Sequence, residues 1–434
     1  MHVIEIEARM SELDELGLRG RTRLVSGPQG PRVVLDGKPT LVLCSTNYLG
    51  LADHPRVREA AADAAMRWGV GAAATRLTSG TMTIHRRLEE QLASFLRRQT
   101  ALLFGSGYLA TVGAVAALAR PGDVVFSDEH NHGAIVDGCG LSGAEVFTYD
   151  HLDLDHLEWG IAKANGRGAL IVTESVFSLD GDVAPLGEIV ELAHRRRLRM
   201  VVDEGHGIGV SGPGGRGVLA ELGVEDQVDA IVGTLGHALG SYGGFVACQD
   251  ETAEYLLNAA RPLRFSTAPS LPAAAAAAAG LTLLEGQPKR VLRVRSNVAL
   301  LVAALEHHGF YFDSLPAAIL SIVVGDPRLA NGIRESALHR GVLIDAACPP
   351  VVPDVGSRVR LAVMASHRPE ELRDAAEVLA GAIGAAGLKP ETGPGTGAAD
   401  LDDHALEEPQ FVQAASSSSP ARIFDVEETD GVAA

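Results

Sequence analysis

The stretch RMVVDEGHGIG, residues 199–209, joins a continuously apolar run to two acids, a histidine and three glycines. It is one of seven short β-rich runs between residues 101 and 248, and helix-like segments or turns separate these runs. Strands that are covered on both faces are continuously apolar, and strands that alternate with helices form mostly parallel sheets. The pattern therefore predicts an α/β protein with a mostly parallel, seven-stranded sheet.

Polar residues close several of these runs, and in parallel sheets the active site collects where strands end and loops begin. Asp203 and His206 follow one run directly. A buried carboxylate at such a position needs a cationic partner, and a protonated pyridine nitrogen would be one. Two other strand-to-loop turns are rich in small residues and hydroxyls, which can hold a phosphate. These turns contain Thr234 and, in the second case, Ser106, Gly107 and Tyr108.

The bulk properties exclude several classes of function. The formal net charge of -18 disfavours binding to nucleic acid or to an anionic membrane surface, because phosphate would repel the chain. No apolar run reaches the roughly 18 to 20 residues that cross a bilayer, and the N-terminus has no secretion signal pattern. We therefore expect a cytoplasmic protein with neither a nucleic-acid nor a membrane partner.

The chain is longer than one hydrophobic core usually organises, and its composition changes along its length. We expect an N-terminal arm at residues 1–50 and a large domain at residues 51–285. A smaller C-terminal α+β domain should occupy residues 286–388. From residue 389 to residue 434 Gly, Pro, Ala, Ser and acids dominate, which predicts an acidic disordered tail.

Eight segments, taken in order along residues 13–388, resemble one known family. They are STNYLGL (45–51), TRLTSGTMTIHRRLE (75–89), GSGYLA (105–110), TESVFSLDGDVAPL (173–186), DEGHGIGVSGPGGRG (203–217), GTLGHALGSYGGF (233–245), RPLRFST (261–267) and RVRLAVMASH (358–367). The family is that of the α-oxoamine synthases, such as 8-amino-7-oxononanoate synthase, glycine C-acetyltransferase and serine palmitoyltransferase. The resemblance implies pyridoxal 5'-phosphate (PLP) as cofactor, PLP fold type I (aspartate aminotransferase-like) and a homodimer.

The resemblance also implies a role for each matching residue. His132 would stack on the pyridine ring, Asp203 would pair with its nitrogen, His206 would bond its hydroxyl, and Ser178 would lie near it. The phosphate would be held by Thr234, by the turn of Ser106, Gly107 and Tyr108, and by Thr267 from a second subunit. Asn47 and Arg360 would face the amino-acid substrate and its carboxylate.

One position departs from the family where the chemistry is centred. The family has T-x-S-K, whereas this chain has Thr234, Leu235, Gly236 and His237, so the lysine that tethers PLP is missing. Imidazole forms no stable imine, although it can shuttle protons near neutral pH. PLP would then be non-covalent or lost, and the expected catalytic residues are His237, His132, Asp203 and His206.

These observations favour an acyltransferase that joins an acyl thioester, on coenzyme A or an acyl carrier protein, to an amine or amino acid. If PLP is absent, His237 would act as the general base for attack of the amine on the thioester, giving an amide. An alternative is a catalytically silent subunit that pairs with a lysine-bearing relative. A further alternative is a metal bound where His132, Asp203, His206 and His237 converge, although the leading hypothesis needs none.

Overall fold

The structure is a computed structural model that describes residues 6–164, 166–312, 317–352 and 356–388. The acidic tail expected at residues 389–434 lies outside the described residues. The described strands are β1 (Val25–Ser26), β2 (Arg32–Leu35), β3 (Lys38–Val42), β4 (Thr100–Phe104), β5 (Val124–Asp128), β6 (Glu145–Tyr149), β7 (Ala169–Glu174), β8 (Arg199–Asp203), β9 (Ala230–Thr234), β10 (Gly244–Cys248), β11 (Ile319–Gly325), β12 (Val342–Leu343), β13 (Asp345–Ala347) and β14 (Ser357–Ala362).

The described helices alternate with the central strands and then dominate the C-terminal third of the chain. They are α1 (Ile6–Glu15), α2 (Pro55–Trp68), α3 (Thr83–Phe95), α4 (Gly107–Leu118), α5 (Gly133–Ser142), α6 (Leu154–Lys163), α7 (Leu186–Arg196), α8 (Val218–Leu222), α9 (Asp250–Ala259), α10 (Arg261–Phe265), α11 (Leu271–Gly286), α12 (Lys289–His307), α13 (Pro327–His339) and α14 (Pro369–Ala385). A short 3₁₀ turn covers Pro213–Gly215.

The central sheet has seven strands in the order β4-β10-β9-β8-β7-β5-β6. β10 is antiparallel to both of its neighbours, β4 and β9, whereas the other neighbouring pairs are parallel. All seven strands coincide with the apolar runs of the sequence. The predicted α/β class and the mostly parallel, seven-stranded sheet are confirmed.

Burial on both faces explains why these strands are continuously apolar. Val125, Val172, Val201 and Val232 on neighbouring strands are fully buried in one core cluster, together with residues of α4, α5 and α9. Removal of one such side chain from water stabilises the fold by about 1.5–3 kcal/mol. The packed helices therefore leave only the strand ends open to a ligand.

Two smaller sheets connect the beginning and the end of the described chain. The order β1-β2-β3-β12 brings a C-terminal strand parallel to β3, so the N-terminal residues and the C-terminal region share one sheet. The order β11-β14-β13 forms an antiparallel three-stranded sheet, with which α13 is in contact. No helix in the described ranges is long and apolar enough to cross a membrane.

Candidate active site

A cleft of about 940 Å³ opens at the carboxyl ends of the central strands. Four neighbouring strands end in polar residues there, namely Asp128 on β5, Glu174 on β7, Asp203 on β8 and Thr234 on β9. The cleft brings together nine of the residues expected from the sequence. They are Gly107, Tyr108, His132, Ser178, Asp203, His206, Thr234, His237 and Arg360.

Asp203 is fixed by two hydrogen bonds at the end of β8. Thr111 on α4 donates its hydroxyl to Asp203 Oδ2 at 2.8 Å, and the backbone N–H of Gly205 donates to Oδ1 at 2.8 Å. The side chain therefore has one defined orientation at the base of the cleft. A carboxylate held in this way can pair with a cationic ring nitrogen.

His206 is buried beside a second histidine and a tyrosine. A hydrogen bond of 2.7 Å joins His206 Nδ1 to the hydroxyl of Tyr48, which is fully buried. The ring centroids of His206 and His237 lie 4.5 Å apart, with planes inclined by 32°. Burial, and then the neighbouring His237, hold the pKa of His206 well below its ordinary value. The ring is therefore neutral near pH 7.

His237 points into the cleft and its tautomer is defined by the backbone. Its Nδ1 lies 2.8 Å from the carbonyl oxygen of Gly205, and a carbonyl only accepts, so Nδ1 carries the proton. Burial lowers the pKa of His237, although this hydrogen bond opposes the shift. The neutral ring consequently has an unprotonated Nε2, which is a base.

The turn between β4 and α4 faces the end of β9 at close range. Ser106 caps α4 by accepting a hydrogen bond from the N–H of Leu109 at 3.2 Å. A Cβ atom added to Gly107 would lie 3.0 Å from Thr234 Cβ, so a glycine is needed for this approach. The N–H of Gly236 donates to Thr234 Oγ1 at 3.1 Å. A helix N-terminus and a hydroxyl thus lie side by side at the place where the sequence predicts a phosphate cup.

His132 is held by Glu174, a residue that the sequence interpretation did not select. The backbone N–H of His132 donates to Glu174 Oε1 at 2.7 Å, while its Nδ1 accepts from the N–H of Ala134 at 3.1 Å. Glu174 also accepts from the N–H and the hydroxyl of Ser178 at 3.1 and 3.2 Å. Burial, and then the nearby Asp203, raise the pKa of Glu174 well above its ordinary value.

Tyr108 and Arg360 also line the cleft. The Tyr108 hydroxyl donates to Asp137 Oδ2 at 2.5 Å, and this hydrogen bond raises the pKa of Tyr108. Arg360 on β14 has a long contact of 3.5 Å with Asp345 Oδ2. Its Nε is buried and has no hydrogen-bond partner in the described ranges. The guanidinium group can therefore donate to, and bind, a further anionic ligand.

Three expected site residues do not line the cleft of this single chain. Ser106 is engaged as the helix cap, and Thr267 is exposed and pairs with Thr75 in an isolated bridge. Asn47 Oδ1 accepts from the N–H groups of Leu51 and Ala52 at 2.9 and 3.1 Å. Asn47 Nδ2 is buried and has no partner among the described residues.

Tyr48, Thr111 and Glu174 are site residues that the sequence interpretation missed. Thr111 lies four positions after Gly107 on α4, which places both residues on one helix face. Glu174 ends a strand, as Asp203 does, so the same signal could have identified it. Tyr48 follows no such pattern. It meets His206 only through the tertiary fold.

Within the part of the chain that the structure describes, no group of three or more His, Cys, Asp and Glu side chains is arranged to hold a metal ion. His206 and His237 instead interact with Tyr48 and with the Gly205 carbonyl. The geometry thus gives the metal alternative no support.

Comparisons with known proteins identify the family of this chain. The family model of aminotransferase class I and II matches residues 38–379. An 8-amino-7-oxononanoate synthase from Anaeromyxobacter dehalogenans (strain 2CP-1) is 44% identical over 373 residues, which are 86% of this chain and 92% of that protein.

Two solved structures have the same fold over most of their length. A high-resolution structure of SPT with a PLP internal aldimine superposes with a TM-score of 0.83 and 29% identity, and covers 88% of this chain and 98% of that one. A lysine-to-alanine variant of serine palmitoyltransferase from S. paucimobilis, with a bound PLP–myriocin aldimine, has a TM-score of 0.84, 29% identity and the same coverage. The fold is therefore PLP fold type I, and the chain belongs to the aminotransferase class I and II family and, within it, to the PLP-dependent α-oxoamine synthases.

Proposed function

We propose that this chain is an acyltransferase that holds PLP without a lysine tether and uses His237 for proton transfer. It would join an acyl thioester, carried by coenzyme A or an acyl carrier protein, to an amine or amino acid. The observation that carries the proposal is the 2.8 Å hydrogen bond from His237 Nδ1 to the Gly205 carbonyl, because it leaves Nε2 free to act as a base.

The polar and aromatic side chains around the cleft fit a phosphorylated pyridine. Asp203 would pair with the ring nitrogen, His206 would bond the ring hydroxyl, and His132 would stack on the ring. Gly107 lies so close to Thr234 that a Cβ atom would crowd the turn at the start of α4, and the backbone N–H groups of this turn would hold the phosphate. When bound, PLP supplies an electron sink for negative charge that develops at the carbon next to the amine nitrogen.

The residues of this chain would bind the substrate and move its proton. Arg360 would bind the carboxylate of the amine substrate, because its guanidinium has a buried donor without a partner in the described ranges. His237 Nε2 would remove a proton from the bound amine substrate. The carbon next to the amine nitrogen, once this proton is removed from it, would form the new bond to the thioester carbonyl carbon while the carbon–sulfur bond breaks, and the thiolate would leave with the proton that His237 holds.

Non-covalent binding has a precedent among the relatives. The S. paucimobilis serine palmitoyltransferase variant, in which alanine replaces a lysine, holds PLP joined to the amine myriocin. A family pocket can thus retain the cofactor and an amine after loss of a lysine. The relatives named 8-amino-7-oxononanoate synthase make acyl transfer the reaction class that best suits this chain.

We propose that this chain forms a homodimer in the cytoplasm. Thr267 is exposed on this chain and lies away from its own cleft, which is the placement expected of a residue that reaches a second subunit. Its hydroxyl would then contact the phosphate of the partner's cofactor. Sedimentation of the purified protein would measure the mass of the assembly.

A borohydride experiment tests the mode of cofactor binding. The native protein, His237→Lys and the control His307→Lys, whose new lysine lies on the exposed side of α12, are each titrated with PLP and followed by absorbance. We expect all three to bind PLP. Borohydride should fix the cofactor covalently to His237→Lys alone, because only there does an amine replace the imidazole in the cleft.

Thiol release then tests the reaction. Each protein receives acyl-coenzyme A thioesters of several lengths and a panel of amino acids, and the free thiol is measured with the product mass. Amine-dependent thiol release by the native protein that falls at least about 100-fold in His237→Gln supports the proposal, because loss of a general base costs that much. Absence of both PLP binding and thiol release, with stable association to a lysine-bearing relative, would instead identify a silent subunit.

A further inference from the structure

Residues 177–183, here called the joint loop, connect the central sheet to the C-terminal three-stranded sheet. The joint loop begins shortly after β7 and contains Ser178, which lines the cleft. Further along it, Asp180 and Gly181 contact the C-terminal three-stranded sheet, and Asp182 contacts His151. The segment is therefore anchored at several points, although it has no helix or strand of its own.

The strongest anchor is the carboxylate of Asp180. Arg358 Nη1 on β14 lies 2.5 Å from both carboxylate oxygens, and the hydroxyl of Ser321 on β11 donates to Oδ1. The side chains of Arg358 and Asp180 are 8% and 20% exposed. Water therefore screens this ion pair little. Arg358 and Ser321 together fix the orientation of the Asp180 carboxylate.

The partners of Asp180 are the neighbours of Arg360 on one face of the sheet. Ser321 lies directly opposite Arg360 in the β11–β14 pairing, and Arg358 precedes Arg360 by two residues on the same strand. Side chains that are opposite or two residues apart point to the same face of a sheet. Asp180 thus binds two side chains that flank Arg360, those of Ser321 and Arg358, and does not bind Arg360 itself.

The backbone of the joint loop is also docked on β11. The N–H of Ala317 donates to the carbonyl of Gly181 at 3.1 Å. A Cβ atom on Gly181 would lie 2.0 Å from the Ile319 carbonyl oxygen, and the residue has a φ of +79°. Only glycine permits this approach. The contact and the ion pair together fix the distance between Ser178 and the sheet that carries Arg360.

We propose that Asp180 is a positioning residue that holds Arg360 at the correct distance from the strand ends of the central sheet. The inference rests on the proposed function, in which Arg360 binds the substrate carboxylate while His237 acts near the amine. The ion pair with Asp180 occupies Arg358 and keeps β14 in place. Arg360, whose contact with Asp345 is long at 3.5 Å, remains available to the substrate.

The test compares Asp180→Asn with Ser321→Ala, which removes one of the two hydrogen-bond partners described for Asp180, and with Glu371→Gln. The control Glu371 is a buried carboxylate with an arginine partner, Arg32, at 2.6 Å, and it lies on α14 outside the cleft. We expect Asp180→Asn to raise the KM for an amino-acid substrate at least about tenfold and to change kcat much less, because misplacement of a binding group weakens binding. Ser321→Ala should have a smaller effect on KM in the same direction.

Hydrogen exchange measured by mass spectrometry provides a readout that needs no activity. Asp180→Asn should increase exchange in residues 317–325 and 357–362 relative to the native protein, whereas Glu371→Gln should leave these segments unchanged. If the native protein releases no thiol, the proposed function fails, and the exchange result alone decides the role of Asp180. Unchanged exchange in both segments, or an equal change of KM in Glu371→Gln, would overturn the inference.

Discussion

The charge of His151 should make the stability of this protein fall as the pH rises. Its Nδ1 lies 2.7 Å from Asp128 Oδ1 at the end of β5, and its Nε2 lies 2.6 Å from Asp182 Oδ2 in the joint loop. Burial disfavours the charged ring, but the hydrogen bonds to the two carboxylates together outweigh this effect. They raise the pKa of His151 from 6.5 to about 9.

This change in pKa has a defined size and sign. A rise from 6.5 to about 9 corresponds to about 3 kcal/mol of stability. Because the Asp182 side chain is 29% exposed, solvent screens part of that interaction, and we expect about 2 kcal/mol. The charged ring is favoured in the folded protein, so this contribution is complete below pH 6.5 and is lost as the pH rises through about 9.

Urea unfolding of the native protein and of His151→Gln between pH 6 and pH 10 measures the effect. The variant should be less stable at pH 6, and the difference between the two proteins should narrow by about 2 kcal/mol by pH 10. The variant His307→Gln, which replaces an exposed histidine, controls for the general effect of losing an imidazole ring. A difference that stays constant over the whole range would refute the reasoning, because His151 would then carry no extra proton in the folded state.

Three other changes probe the cleft. Glu174→Ala should lower thiol release at least about tenfold, because His132 loses the carboxylate that holds its backbone. Glu174→Gln should retain most of the activity. Steady-state kinetics measure both variants. Gly107→Ala should weaken PLP binding about tenfold in an absorbance titration, since the new methyl group would crowd Thr234. Because burial lowers the pKa of His237 in the free protein, the acidic limb of the kcat/KM profile should lie below pH 6.5, where protonation removes the base. A limb above that value would contradict the assignment.

Much of the fold could be predicted from local patterns. The seven apolar runs became the seven strands of the central sheet, because strands that are covered on both faces carry no polar residue until they end. The same logic placed Asp203 and Thr234 at one edge, since the carboxyl ends of parallel strands meet there. The histidine at position 237, where the resemblance implies a lysine, was likewise evident from the sequence alone.

Contacts between distant segments required the tertiary structure. Asp180 and Arg358 are separated by 178 positions in the chain, and no periodicity connects them. The tautomer of His237 depends on the Gly205 carbonyl, and the lowering of its pKa depends on burial in the folded protein. Local sequence determined which residues end each strand, because the run of apolar residues that marks a strand is a property of a single element. The packing of those elements decided which charges meet, because ion pairs and pKa shifts arise only when remote side chains leave water together.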